Sequence, residues 1–261
     1  HPHSDHIGGM KALAQRYEIG MMYAPAIALD MEKTDKLAAD VGVSLMRLSA
    51  GDKVTADSGA VFEVLGPLEL SGEDDNDNSL VLRLEAGGLT WLLTGDMQFA
   101  EETSLMRSGA DLKADVLKVG NHGNPDATSD EFARAVSPKA AVISTSTEED
   151  SDSANPRVIS ALRGADVYVT QDYTLGVLMT AKDGELNVDD LVPPEADIPI
   201  SISIDKSSQT ATLISETDAD LSGWFIWSEK GNELFVFPQG AAIRAGVPLV
   251  VAWRSSEAPV Q

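Results

Sequence analysis

From residue 90 the apolar and polar positions fall into a rhythm of strand, turn and helix repeated three times, the alternation of a layered α/β domain. Leu92-Leu93 leads through Thr94-Gly95-Asp96 into a helix predicted over 99–106. Residues 116–119 lead through Gly120-Asn121-His122-Gly123 to a helix over 130–136, with Thr128 and Glu131 spaced as a capping box. Residues 141–143 lead through a polar stretch to a helix over 156–163, and 167–169 and 176–180 read as closing strands. Upstream, good helix formers fill 10–17, a strand is predicted at 21–24, and a helix over 32–40 is ended by Gly42. Short strands follow at 45–48, 61–65, 80–84 and 90–93, broken by Gly51, Ser58-Gly59, Pro67 and Gly87-Gly88, with an acidic polar loop at 73–78.

The stretch 183–199, with Pro193-Pro194 among acidic residues, breaks this rhythm and reads as a linker. Everything after it is β-like: 200–204, 210–214, 224–227, 234–237 and 249–253 alternate with Gly, Asp and Pro turns at the spacing of a small sandwich. The organisation expected is therefore 1–182 as an α/β domain, 183–196 as linker and 197–261 as an all-β domain.

At 43% hydrophobic and 23% charged, the 261 residues supply a sizeable core. The absence of cysteine excludes a disulfide framework and any thiolate metal site. No apolar run approaches the ~20 residues of a membrane-spanning helix. The charge is unbalanced: 42 acidic against 19 basic residues give a net charge of −23. Such a surface repels phosphate backbones at long range, so binding a nucleic acid requires a local basic strip or bridging metal ions.

Three of the four histidines fall within the first six residues, His1-Pro2-His3-Ser4-Asp5-His6, followed by Gly8-Gly9 at a loop-to-helix junction; the fourth is His122. Imidazole is the commonest metal ligand, and His1 and His3, two apart in an extended loop, are expected on one side sharing one ion, with Asp5 and His6 serving a second. Imidazole with carboxylate suits zinc, manganese or iron and leaves a position open for water. Asp96, at a strand end, reads as a ligand or as the N-cap of the helix after it. His122 reads as a ligand or a turn histidine, Asn155 before Pro156 as an N-cap, and Asn78 and Ser79 as loop hydrogen-bonders. Lys118 has two readings, phosphate contact or solvated strand residue.

The opening H-x-H-x-D-H-x-G-G resembles the signature of the metallo-β-lactamase-fold hydrolases. Asn78-Ser-Leu-Val-Leu82, Leu92-Leu-Thr-Gly-Asp96, Val116 through Gly123, Thr128-Ser129, Pro138 through Ser144 and Val167-Tyr-Val-Thr170 are similar, in the same order, to the C-terminal nuclease-like domain of ComEC-type competence proteins. The resemblance covers about residues 1–182 and implies an αββα fold whose first strands would lie before residue 1. It also implies two divalent ions, zinc or manganese: His1 and His3 on one, Asp5 and His6 on the other, Asp96 bridging, and His122 as a further ligand. The implied catalytic residues are Asp5 and Asp96, with a metal-bound hydroxide attacking a phosphodiester of DNA and Asp5 orienting it.

Departures from the pattern weigh on the second ion. Asn121 stands where the family has the first histidine of an H-H-G-S turn, Asn124 replaces its serine, and Asn155 stands where a histidine precedes proline. Other ester substrates, such as phosphocholine or lactone esters, and a degenerate non-catalytic binding protein are the alternative readings. Downstream, Asp220-Leu-Ser-Gly-Trp224, Phe235-Val-Phe-Pro238, Gly240 and Ala245-Gly246 resemble the lamin-tail domain, an immunoglobulin-like sandwich, over roughly 197–254. That resemblance implies a core position for Trp224, a last part too short after Trp253, and an extracellular or cell-envelope setting.

Overall fold

The computed structural model describes residues 1–72, 74–191, 198–228 and 233–252. The chain divides into two compact units, the first of residues 1–14 and 19–192, the second of 15–18 with the described part of 193–261.

The chain begins with two short helices, α1 (Ser4–Ile7) and α2 (Met10–Arg16). A parallel pair follows, β1 (Met22–Pro25) with β2 (Leu45–Leu48), joined by α3 (Met31–Val41). Gly42, where the sequence ends the helix, closes α3 in a left-handed cap at a φ of 70°. Met22, Leu37 and Ala38 form a small core here, against which Ile7 and Met10 pack, and that contact seats the histidine segment.

A seven-stranded sheet carries the rest of the unit: β3 (Lys53–Thr55), β4 (Val61–Gly66), β5 (Val81–Ala86), β6 (Leu89–Leu93), β7 (Val116–Lys118), β8 (Ala140–Ile143) and β9 (Asp166–Val169), in sequential order. Pairing is antiparallel from β3 to β6 and parallel from β6 to β9. The parallel strands are joined by α4 (Phe99–Ser108), α5 (Asp130–Val136) and α6 (Pro156–Ala161), the three repeats legible in the sequence. Leu92, Leu117, Ala141 and Ile143 from the strands are fully buried against Leu105, Phe132, Val136 and Val158 from the helices. Strands buried in this way read as unbroken apolar runs. Burying Phe132 alone is worth roughly 2–3 kcal/mol.

Several local expectations are corrected. The cap of α5 is Ser129, whose hydroxyl accepts from the Phe132 N–H at 3.1 Å; Thr128 has a φ of 55° and its N–H donates to the buried Glu102 carboxylate, so the Thr128–Glu131 box does not form. The proposed linker begins inside a hairpin, because β10 (Val177–Lys182) pairs along its length with β11 (Glu185–Asp190). Glu185, Asp189 and Asp190, all exposed on β11, made that strand look like a linker. Pro193-Pro194, Trp253 and the segment after it lie outside the described residues.

In the second unit β12 (Ile200–Asp205), β13 (Thr210–Ser215) and β18 (Leu249–Ala252) form one sheet. Two antiparallel pairs complete it, β14 (Ala219–Asp220) with β17 (Ala242–Ile243) and β15 (Phe225–Ser228) with β16 (Glu233–Val236). Leu213, Leu221, Phe237, Ile243 and Val251 are the core of this β-sandwich. Trp224 is 40% exposed, which overturns its expected core position; the smaller Leu221 is buried from the same turn instead.

Candidate metal centre

Four segments meet beyond the C-terminal ends of β6 and β7, the end at which open α/β sheets place their ligands. The first is residues 1–6. Its Ser4–Ile7 turn is helical rather than extended, so His3 and His6 carbonyl and amide groups are joined at 3.1 Å and the side chains of Asp5 and His6 turn inward together. The second is Thr94-Gly95-Asp96, where the Thr94 hydroxyl donates to the Lys118 carbonyl at 2.7 Å and ties the two strand ends. Gly95 has a φ of 55°, and a Cβ there would stand 2.7 Å from the Ser79 hydroxyl, so both conformation and space require glycine. The third is the turn Gly120–Gly123, with Asn121 at φ 42° and His122 at φ 54°. Left-handed conformations at two successive non-glycine residues cost on the order of 1–3 kcal/mol each and cluster at functional sites.

The fourth segment is the acidic loop, which is more than a solvated tract. Asp75, Asp77, Asn78 and Ser79 are buried. Asp75 accepts from the Leu29 and Asp30 N–H groups at 2.6 and 2.9 Å, fixing the start of α3, and Asp77 accepts from those of Gln98 and Glu101 at 3.0 and 3.1 Å, fixing the start of α4. Ser79 reaches the centre itself: its oxygen accepts the Asp96 N–H at 2.9 Å and stands 3.2 Å from His1 Nδ1. The one sequence signal for this role was the interleaving of Asn with Asp at 75–78, since amides supply the donors that a buried carboxylate turn needs.

Asp96 Oδ2 is the hub. His6 Nε2 lies 2.8 Å from it, His122 Nε2 3.2 Å and His1 Nε2 3.4 Å. Asp5 Oδ2 is 3.1 Å from His122 Nε2 and 3.4 Å from His6 Nε2. One ligand atom each from Asp5, His6, Asp96 and His122 falls within a 4.8 Å span. Donors held about 2.0–2.1 Å from a tetrahedral zinc stand about 3.3–3.4 Å apart, so these groups fit an ion. Two further atoms fit one as well: His1 Nε2 and Asp96 Oδ1 are buried without a hydrogen-bond partner, the signature of ligand atoms rather than of a finished hydrogen-bond network.

His3 is the exception among the predicted ligands. Its Nε2 faces Asp74 Oδ1 at 3.0 Å, although its ring lies 4.5 Å from that of His1. Asp96 is not a helix cap, a role taken by Gln98. Asn121 turns away and donates to Asp126 at 2.9 Å, and Asn124 donates to Asp150 at 2.7 Å. Asn155 is the N-cap of α6, its side-chain Oδ1 accepting from the Arg157 N–H at 3.0 Å.

Electrostatics follow from this packing. Burial opposes ionisation of Asp96, but hydrogen bonds from His122 and His6 outweigh it and hold the carboxyl well below the usual range. The same contact with Asp96, against burial and with help from the Ser144 carbonyl, pushes His122 up to about 9. His122 Nδ1 donates to Ser144 O at 2.7 Å, which leaves Nε2 facing two carboxylates that can only accept. That nitrogen binds either a proton or a metal ion there, and the bond from Nδ1 fixes the tautomer a metal requires. Lys118, at the end of β7, donates to the Val119 carbonyl at 2.7 Å; burial lowers its pKa while Asp96 and Asp5 raise it.

Residues 1–147, more than half the chain, match the model of the metallo-beta-lactamase superfamily. ComE operon protein 3 of Bacillus subtilis is 31% identical over 189 residues, 71% of this chain and 23% of that protein. Competence protein ComA of Neisseria gonorrhoeae is 44% identical over 88 residues, 33% of this chain and 13% of that protein. Recombination protein 2 of Haemophilus influenzae is 27% identical over 145 residues, 56% and 17% respectively. The chain therefore spans less than a quarter of the length of these relatives. Among solved structures, the metallo-beta-lactamase fold protein YhfI from Bacillus subtilis aligns over 72% of this chain and 75% of that one at 13% identity, with a TM-score of 0.44. By the superfamily match over its first 147 residues, the chain belongs to the metallo-beta-lactamase superfamily.

Proposed function

We propose that the chain is a metal-dependent phosphodiesterase acting on DNA. The observation that carries this reading is the convergence of His1, His6 and His122 on Asp96 Oδ2 with Asp5 beside them, and the names of the competence and recombination relatives favour a DNA substrate. Asp5, His6, Asp96 and His122 would hold one ion; His1, His3 and Asp96 are the set for a second, which requires His3 to leave Asp74. Bound divalent ions supply Lewis-acid charge and make water nucleophilic at neutral pH.

The protein's own groups do the rest. Water adds across a P–O bond: one oxygen–phosphorus bond forms as another breaks, and the departing oxygen takes up a proton. Asp5 is the most exposed carboxylate of the cluster, 53% exposed at its side chain, and is placed to accept the proton of the attacking water. Asp96, its ionised form favoured by the hydrogen bonds from His122 and His6, holds the three imidazoles in register, and Ser79 holds Asp96. Lys118, buried near Asp96 and Asp5, would in its protonated form add positive charge where the phosphoryl oxygens gain negative charge.

Incubation with single-stranded and duplex DNA in manganese or zinc, against a chelator control, tests this. Metal-dependent cleavage lost in Asp96→Asn and His6→Ala is the expected result; no cleavage by the wild-type chain under either metal refutes it. A second reading, a non-catalytic binding protein with one ion, is favoured by the turning away of Asn121 and the capping role of Asn155. Metal stoichiometry separates them, two ions per chain supporting catalysis and one or none the binding role.

A further inference from the structure

A cleft of about 640 Å³ opens directly beside the metal centre and is lined by Pro2, His3, Asp5, Ile7, Leu37 and Asp40, with Lys11, Lys33 and Lys36 along it. In a chain of net charge −23 this concentration of cations is out of keeping with the rest of the surface: three of ten lysines line one cleft. They come from two separate helices, Lys11 from α2 and Lys33 and Lys36 from α3. We infer that this cleft is the track of a nucleic-acid strand leading to the metal centre, its phosphates along the three lysines and its sugars and bases over the apolar floor of Pro2, Ile7 and Leu37.

Continuity with the site comes first, because His3 and Asp5 line the cleft and Asp5 also belongs to the metal cluster. Charge comes second. Lys11 and Lys36 share one carboxylate, Asp40, at 2.8 and 2.9 Å, and Lys33 meets Asp30 at 2.6 Å. Two ammonium groups on one carboxylate leave a surplus positive charge, and Lys11 and Lys36 hold Asp40 down to about 2. All of these pairs are exposed, so they compete weakly with a phosphate backbone. Phosphates that release condensed counterions along such a strip overcome the long-range repulsion of an acidic protein. The occupant is thus a chain of several phosphates, rather than an isolated phosphodiester held at the metal centre alone.

This inference rests on the phosphodiesterase reading, and its test separates the two. The probe is a dye-labelled oligodeoxythymidylate, with binding followed by fluorescence anisotropy in chelator and hydrolysis followed in manganese alongside a small phosphodiester, bis(p-nitrophenyl) phosphate. Lys11→Glu/Lys33→Glu/Lys36→Glu is compared with Lys53→Glu/Lys113→Glu/Lys182→Glu, which makes the same change in net charge at exposed lysines elsewhere. The cleft variant is expected to bind the oligonucleotide at least tenfold more weakly, with a salt slope smaller by about 2, while its turnover of the small ester stays at the wild-type rate. Equal loss in both variants, or no loss in the cleft variant, overturns the track. Displacement of the oligonucleotide by polyglutamate at equal charge concentration overturns it too, since the cleft would then be a general polyanion site. A wild-type chain that binds the oligonucleotide through the cleft but hydrolyses neither substrate refutes the phosphodiesterase and leaves the track standing.

Discussion

Glu101, in the first turn of α4, is 3% exposed, and neither of its carboxyl oxygens has a hydrogen-bond partner. Burial, with Asp77 as the next cause, pushes it up to about 9 from an ordinary 4.5. The native state therefore keeps a proton that the unfolded chain releases above pH 4.5, and stability falls by about 1.4 kcal/mol per pH unit between the two values. From pH 4.5 to pH 8 the ceiling is roughly 5 kcal/mol; relaxation and water entry around a newly charged group bring the expected loss to roughly 2 kcal/mol. Glu101→Gln mimics the neutral acid and has no proton to lose. Wild type and variant should unfold within about 0.5 kcal/mol of each other at pH 5, and the variant should be more stable by roughly 2 kcal/mol at pH 8, about 1 M in urea midpoint. The assay is urea unfolding followed by Trp91 on β6, with Trp224, Trp227 and Trp253 replaced by Phe so that the second unit is silent. A difference that does not change with pH, or a variant less stable at pH 8, refutes the reasoning.

Ser79→Ala leaves the Asp96 N–H buried without an acceptor and frees the His1 ring, so metal affinity measured by chelator competition should fall about 10- to 100-fold. The same variant should lose about 1–3 kcal/mol in thermal unfolding. Lys118→Met should lower kcat for DNA by about 10- to 100-fold with metal content unchanged, because it removes the amine that neighbours Asp96 and Asp5; an unchanged kcat would assign Lys118 to the fold alone. Asn121→His should leave metal stoichiometry as it is, since that side chain points to Asp126 and away from Asp96; an added ion by metal analysis would contradict the orientation.

Much of the first unit was legible because its signals are local. Apolar runs, the turns at Gly95 and Gly120 and the Asn155-Pro156 cap give the three strand–turn–helix repeats within a residue or two. The candidate ligands His1, Asp5 and His6 stood out because few residue types bind metal and the chain has only four histidines, whereas Asp96 and His122 joined them only through the family resemblance. What escaped notice depends on long-range partners. Ser79 looks like any loop serine until Asp96 and His1 are folded onto it, and Glu102 satisfies the start of α5 from 26 residues away, displacing the local capping box. His3 differs from its expectation for the same reason: helical coiling at Ser4 sends it toward Asp74. In the second unit the core position of Trp224 was taken from the lamin-tail resemblance, whereas the turn before β15 buries Leu221 and leaves the ring outside.

The arrangement of ligands along the chain has a consequence for the unfolded protein. Four of the six candidate ligands lie within the first six residues, while Asp96 and His122 arrive from 90 and 117 positions away. An unfolded chain thus keeps a local H-x-H-x-D-H chelator intact. Metal stabilises the fold only by the ratio of its native to denatured affinities, about 1.4 kcal/mol for each tenfold, and binding to the denatured ensemble subtracts from that ratio. Raising the metal concentration should therefore lift Tm to a plateau rather than without limit. The height of that plateau measures what Asp96 and His122, the two distant ligands, add to a chelator the sequence already carries.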